Sequence, residues 1–352
     1  MPSATASLEA TLSSPASSAE INVLFTSAGR RVELLRAFRR AYLELGLPGR
    51  ILVADIDPLA PSHQAADTSF IVPRLDDAEY LPTLEKIVRD ERVNLIFPLI
   101  DPDVLMLARH REPLEQAGAR VAVVDPEPAE AASDKWRTHA FFNELGLPTP
   151  RAWLPQDVPA NGFEYPVFIK PRGGSAGKGA FKVEDPRQLE FFLSYVENPI
   201  IQEFVAGAEI TSDVFCGAGG DLWAVVSRRR IEVRWGEVAK GVTVSEPRIW
   251  EGCRQIAARW GVRGPITVQC MLRGETPLFT EINARFAGGA PLALAAGVPY
   301  ARWYLEEAAG LPVAAPPIGT YRTGLYLTRF DDSFFLDDEA HARISRRRIR
   351  PG

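Results

Sequence analysis

The chain has 352 residues, 46% of them hydrophobic and 24% charged, which is enough apolar material for two or three packed units. A formal net charge of −5 provides no basic field for nucleic acid, and no apolar run reaches the roughly 18 residues that would span a bilayer. The three cysteines, Cys216, Cys253 and Cys270, lack metal or redox spacing and read as reduced core thiols of a cytoplasmic protein.

Residues 1–20 are rich in Ser, Ala and Thr, without a basic start or a continuous apolar stretch. They are expected to be a disordered lead-in rather than a secretory signal. INVLFTSAG (21–29) is an apolar run ending in glycine, and the following RRVELLRAFRRAYLELG has helical periodicity, with Leu34, Leu35, Phe38 and Tyr42 on one face. ILVADID (51–57), NLIFPLID (94–101) and VAVVD (121–125) read as further buried strands preceded by helical stretches. This alternation predicts an α/β unit, a Rossmann-like parallel sheet covered on both faces. Its strand ends line up Ser27–Arg31, Asp55–Asp57 and Pro98–Asp103 along one rim.

The pattern then changes. SDKWRTHAFFNELGLPTP (133–150) reads as a helix capped by Ser133 or Asp134 and stopped by Gly146, Pro148 and Pro150. A strand YPVFIKP (165–171) leads into the loop GGSAGKG (173–179), a return strand AFKV and a helix. After Ile200 short strands dominate (IIQEFV, ITSDVFCG, LWAVVSRRRIEV, PITVQCML, PLFTEIN), interrupted by the helix PRIWEGCRQIAARWG. The second half is therefore α+β with an antiparallel sheet.

Three segments carry chemistry. In the glycine loop, backbone N–H groups can approach phosphate oxygens, with Lys170 before the loop and Lys178 inside it adding charge. A flexible hairpin turn fits the same residues. In VQCMLRGETPLFTEINAR (268–285), a hairpin symmetric about Glu275 sets Gln269 opposite Glu281, with Asn283 on the same face and Arg285 just beyond. Ile266, Val268, Cys270, Leu272, Leu278 and Ile282, with Thr280, fall on the other face. Convergent oxygens of this kind suit Mg2+, although polar outward faces are common in antiparallel sheets. In IIQEFVAGAEIT (200–211), an apolar strand can offer its backbone to a purine edge and a following carboxylate can hold ribose hydroxyls. Both glutamates equally fit an ordinary surface.

Taken in order, Lys135, Lys170, the 173–179 loop, the 203–209 hinge and the 269–285 hairpin resemble the ATP-grasp superfamily, in particular single-unit proteins similar to the ATP-binding half of the carbamoyl-phosphate synthetase large subunit. The resemblance covers residues 21–330. It implies a pre-ATP-grasp domain over 21–130, a small lobe over 131–200, a large lobe over 201–330 and a C-terminal tail over 331–352. It also implies roles. Lys135 and Lys170 would contact the nucleotide phosphates. Gly173, Gly174, Ser175, Gly177 and Lys178 would belong to the mobile lid. Glu203, with the backbone of Phe204 and Val205, would read adenine, and Glu209 would bind the ribose. Gln269, Glu281 and Asn283 would hold two Mg2+ ions, with Mn2+ as a substitute. Arg285 would steady the γ-phosphate or an acyl phosphate. One unit without a glutaminase domain argues against a full carbamoyl-phosphate synthetase.

The implied reaction is activation of a carboxylate by ATP, followed by attack of an amine, with small-molecule substrates and no nucleic-acid or membrane partner. A homodimer is the commonest symmetric assembly. In SRRRIEVRWGEVAKGVTV (227–244), Arg228 or Arg230 with Arg234 is expected to hold the carboxylate, although a charged strand edge has the same composition. Arg30 and Arg31 could meet substrate at the rim. The histidines His63, His110, His139 and His341 are scattered and receive no role. Two other readings compete: a nucleotide-dependent dehydrogenase on the N-terminal sheet, weakened by TSAGRR lacking GxGxxG, and a non-catalytic ATP-binding regulator.

Overall fold

The computed structural model describes residues 20–159, 162–174, 177–234, 236–345 and 347. The expected lead-in lies outside the described residues except for Glu20, as does most of the basic end SRRRIRPG.

The N-terminal domain is a five-stranded parallel sheet in the order β3-β2-β1-β4-β5. Its strands are β1 (Val23–Thr26), β2 (Ile51–Asp55), β3 (Thr68–Ile71), β4 (Leu95–Pro98) and β5 (Arg120–Val121). Strands β1, β2 and β4 are buried along their whole length, as a sheet covered on both faces requires. β3 is absent from the sequence reading: it is four residues long and half Thr and Ser, too weak a run to announce a strand. The helix Val32–Leu45 buries Leu34, Leu35, Phe38, Ala41 and Tyr42 and stops at Gly46, whose φ of +62° suits glycine.

The small lobe is a four-stranded sheet ordered β6-β9-β7-β8, formed by β6 (Ala152–Trp153), β7 (Val167–Pro171), β8 (Phe181–Val183) and β9 (Pro199–Glu203). It has its own core of Val167, Ile169, Val183, Leu189 and Ile201. Because β9 pairs with β7 from Pro199 to Glu203, this lobe runs through Glu203 rather than ending at 200. At its other end, the helices Pro126–Ser133 and Lys135–Glu144 pack against the large sheet, while Lys135 at the start of the second bonds Arg172 and Gly174 of the small lobe. Phe142 reaches Phe279 of that sheet, with ring centroids 5.7 Å apart.

The large lobe is a six-stranded sheet ordered β14-β13-β10-β11-β12-β15. Its strands are β10 (Glu209–Cys216), β11 (Leu222–Arg234), β12 (Glu237–Thr243), β13 (Pro265–Arg273), β14 (Thr276–Asn283) and β15 (Tyr326–Thr328). The helix Pro247–Trp260 covers one face, setting Ile249, Cys253 and Ile256 against Val214, Val225, Val268 and Ile282. All three cysteines are free and buried in this lobe.

The N-terminal domain and the large lobe share one core. Phe25, Phe38 and Phe97 form a ring cluster that Phe286 and Tyr304 complete, each with its ring centroid 5.1 Å from that of Phe97. The C-terminal segment is not a free tail where it is described. The helix Asp338–Ser345 packs on β3, the Arg347 carbonyl accepts from Ile71 N–H, and the Arg347 guanidinium donates to Ser69. Among the described residues no helix is long and apolar enough to cross a membrane.

Candidate active site

The hairpin β13–β14 brings the predicted oxygen donors onto one face by a route that the symmetric pairing does not anticipate. The turn is two residues, Gly274–Glu275, so Arg273 pairs with Thr276 and Cys270 with Phe279. A bulge at Thr280 then shifts the register by one, and Gln269 meets Glu281, followed by Thr267 with Asn283. The bulge changes two assignments. Phe279, opposite Cys270, joins the main core cluster, whereas Leu278, also buried, lies opposite Met271. Thr280 lines the cleft, with its hydroxyl donating to the Gln269 carbonyl. Across the sheet, Gln269 also pairs with Thr211, and Thr211 with Arg228, so the row Glu281–Gln269–Thr211–Arg228 faces one way.

That row floors a cavity of about 620 Å³ between the two lobes and the rim of the N-terminal domain. Lys170, at the end of β7, enters from the small lobe and is 8% exposed. Burial pushes its ammonium down to about 8, against the opposing pull of Glu281 and Glu209. Lys135 lines the same cavity and donates from Nζ to the Gly174 carbonyl at 2.8 Å. Gly173, Gly174, Gly177 and Lys178 also line it; Ser175 lies outside the described residues. Gly174 and Gly177 have φ of +82° and +69°, conformations that glycine alone adopts cheaply.

Asp134 fixes Lys135 in place. It caps the helix Lys135–Glu144 by accepting from Trp136 N–H at 2.9 Å, and it pairs with Arg172 beside the glycine loop. Asp134→Ala is expected to cost about 1–2 kcal/mol of stability by urea unfolding, and Asp134→Asn, which keeps a capping oxygen, less. Equal losses in the two variants would remove the cap from this account.

At the hinge, Glu203, Phe204, Val205 and Glu209 all line the cavity. The Glu203 carboxylate is already engaged by Arg273 and Arg151, which leaves the backbone as the hinge's free recognition surface. Lys182 sits 4.8 Å over the Phe204 ring. Glu209 is paired with Arg230.

The arginines divide. Arg285 donates from Nη2 to Asp101 at 2.8 Å and lies beside Asn283. Arg228 is 3% exposed and paired with buried Asp213, and Arg230 shares its face. Arg234 does not join them. It is exposed at the end of β11, beyond the register shifts near Glu232, and pairs with Glu232 instead. Arg30 is likewise exposed and outside the cavity lining, whereas Arg31, one residue on across the turn closed by Arg31 N–H to the Ala28 carbonyl, lines it. Arg31 is joined by Glu237 at 3.2 Å, and Glu237 by Arg329 at 2.9 Å. The sequence reading missed Glu237 and Arg329. Glu237 lies inside the 227–244 segment, among the arginines that draw attention there, and Arg329 sits in no motif, more than forty residues past the hairpin.

The rim of the N-terminal sheet does not look like a dinucleotide site. The Asp55 carboxylate accepts from Gly29 N–H at 2.7 Å and Asp57 N–H at 3.0 Å, so it is spent on the turn. Asp103 is fully buried and accepts from Thr26, Ser27 and Tyr80. Burial pushes its carboxyl up to about 6 despite these bonds. A folded pKa above the unfolded value means that the native state binds the extra proton. This contribution is therefore present below pH 4 and lost as pH rises to 6, on the order of 3 kcal/mol. The stability of Asp103→Asn relative to the parent should fall by about that amount between pH 7 and pH 4 in urea unfolding. A pH-independent difference would show that Asp103 is ionised throughout.

Residues 132–289 match the ATP-grasp domain family, and residues 23–123 match the PylC-like N-terminal domain family. The chain carries an ATP-grasp domain. The carbamoyl phosphate synthase large chain of Rubrobacter xylanophilus is 30% identical over 241 residues, which are 62% of this chain and 22% of that protein. The 3-methyl-D-ornithine–L-lysine ligase of Methanosarcina acetivorans is 24% identical over 262 residues, 74% of this chain and 67% of that protein. Among solved structures, the biotin carboxylase domain of Hydrogenobacter thermophilus 2-oxoglutarate carboxylase, crystallised with MgADP and bicarbonate, superposes with a TM-score of 0.66. It is 19% identical, and the match covers 86% of this chain and 73% of that one. The chain thus spans about a fifth of the synthase it matches, and the structural likeness concerns the ATP-grasp fold alone.

Proposed function

We propose that the chain is an ADP-forming carboxylate–amine ligase. One observation supports this reading above the others: Lys135 and Lys170, from outside the large sheet, line the same cavity as the Gln269–Glu281–Asn283 row. Cations stand on one side and a carboxylate flanked by amide oxygens on the other, as a triphosphate and its divalent ions require.

The donor set fits such ions in a particular way. Among the described residues no cluster of three His, Cys, Asp or Glu exists that could hold a metal alone. Glu281 is the one acid of the row, so Mg2+, or Mn2+ as a substitute, would be completed by phosphate oxygens. Glu281, with Gln269 and Asn283, would hold the ions. When bound, the ions neutralise charge spreading over the transferred phosphoryl group.

The protein's own groups do the positioning. Lys170 and Lys135 hold the phosphates, the backbone at Phe204 and Val205 holds the base, and Glu209 holds the ribose. A substrate carboxylate oxygen attacks the γ-phosphorus as the bond to ADP breaks, giving an acyl phosphate. A neutral amine then attacks the acyl carbon, phosphate leaves, and the amine gives up a proton. Arg285, held in place by Asp101, faces the charge that develops in both steps.

The test is a phosphate-release screen with ATP and Mg2+ against pairs of carboxylates and amines, with Glu281→Ala as the blank. ADP and phosphate formed only with a matched pair is the expected result. ATP binding without turnover in any pair would favour the regulator.

A further inference from the structure

Glycines 288 and 289 hold no turn that needs them; neither has a positive φ. What they do is leave room. A Cβ on Gly288 would lie 2.5 Å from Arg31 Nη1 and 2.8 Å from the Glu237 carboxyl carbon. A Cβ on Gly289 would lie 2.5 Å from Arg228 Nε. Two consecutive side chains are thus absent where two guanidinium groups, that of Arg228 buried and that of Arg31 partly so, press against the backbone of the cavity wall from the two domains.

One of the two guanidinium groups keeps unmet capacity. Arg228 Nε has no hydrogen-bond partner, and neither does Thr211 Oγ1 beside Arg228 in the sheet row, whereas Arg31 Nη1 is ion-paired with Glu237 at 3.2 Å. Leaving such a group unmet costs about 1–3 kcal/mol, which a bound polar group facing this wall would recover. Burial also lowers the Arg31 guanidinium to about 10, against the opposing pull of Glu237. The location separates this wall from the metal side. Arg228 stands three strands from Glu281, roughly 14 Å at the backbone at about 4.8 Å per strand.

We propose that Arg31 and Arg228, seated on Gly288 and Gly289, form a subsite for a second carboxylate, one that is never phosphorylated, and that Arg31 gives the N-terminal domain its say in substrate choice. The planar fork of arginine suits a carboxylate held by paired bonds. That group is carried either by the amine, making it an amino acid, or by the acyl partner, making it a dicarboxylic acid. The inference rests on the ligase reading.

The experiment measures phosphate release for the best pair found among amino acids and mono- and dicarboxylic acids. Each partner is then replaced in turn by the analogue whose spare carboxylate is an amide. The parent protein should lose about 100-fold in kcat/KM with one of the two amides, and which one names the partner that carries the group. Arg31→Gln and Gly288→Ala should accept acid and amide within a few-fold of each other, with Arg31→Lys intermediate, while a thermal shift with MgADP stays as in the parent. A lesion that merely damaged the fold would lower both rates and keep their ratio. A parent protein indifferent to both amides, or Arg31→Gln with the ratio intact, overturns the subsite and leaves the ligase reading standing. No release with any pair sinks the ligase reading, and the subsite with it.

Discussion

Glu281→Ala should lower ATP-dependent phosphate release on the order of 10³-fold, the scale of losing one preorganised charge-stabilising group from a catalytic site. The expectation follows from the composition of the row. Gln269 and Asn283 are neutral amides, so removing Glu281 leaves any bound divalent ion without an anionic ligand from this face. The loss should not come from unfolding. Glu281 projects into the cavity, and the core side of β14 is carried by Phe279 and Ile282. A urea midpoint within about 1 kcal/mol of the parent is expected, as for substitutions away from packed sites. Full turnover in the variant would remove Glu281 from the metal site. A collapsed midpoint would make it a structural residue.

Lys170→Met is the second. A buried, charge-assisted contact to phosphate is worth about 1.5–3 kcal/mol, so affinity for ADP should fall roughly 10- to 100-fold. The effect has a pH signature. The free ammonium sits at about 8, and a phosphate beside it raises that value. Binding above pH 8 should therefore take up a proton, and affinity should weaken as pH rises through 8. Calorimetry of ADP in EDTA at pH 8.5, in two buffers of different ionisation enthalpy, reads the uptake directly. Lys170→Met should show none. Equal uptake in the variant would assign the proton elsewhere.

Much of this site is legible in the chain because it is local. Gln269, Glu281 and Asn283 lie within one hairpin, where alternation decides the face. The bulge at Thr280 is not legible: nothing in LFTEIN marks an extra residue, and the true two-residue turn is off centre by half a position. The two errors cancel at Gln269–Glu281 and leave Leu278, Phe279 and Thr280 exchanged. Arg31 rather than Arg30, and Glu237 with Arg329, depend on where the N-terminal domain docks. Long-range packing decides that, and no short spacing encodes it. Arg234 fails for a related reason: strand alternation carries an argument only as far as the strand stays regular, and β11 loses its register beyond Arg230.

The phenylalanine cluster that joins Phe97 to Phe286 bears on how such proteins can be recombined. A graft that swaps the first domain alone would cut through a shared oily interior, baring Phe286 and Tyr304 and shifting Arg285, the very next residue. The lobe around Ile169 has a separate interior and can be exchanged without that penalty. Hybrid enzymes should therefore survive when the nucleotide lobe is transplanted, and aggregate when the junction falls between the outer two.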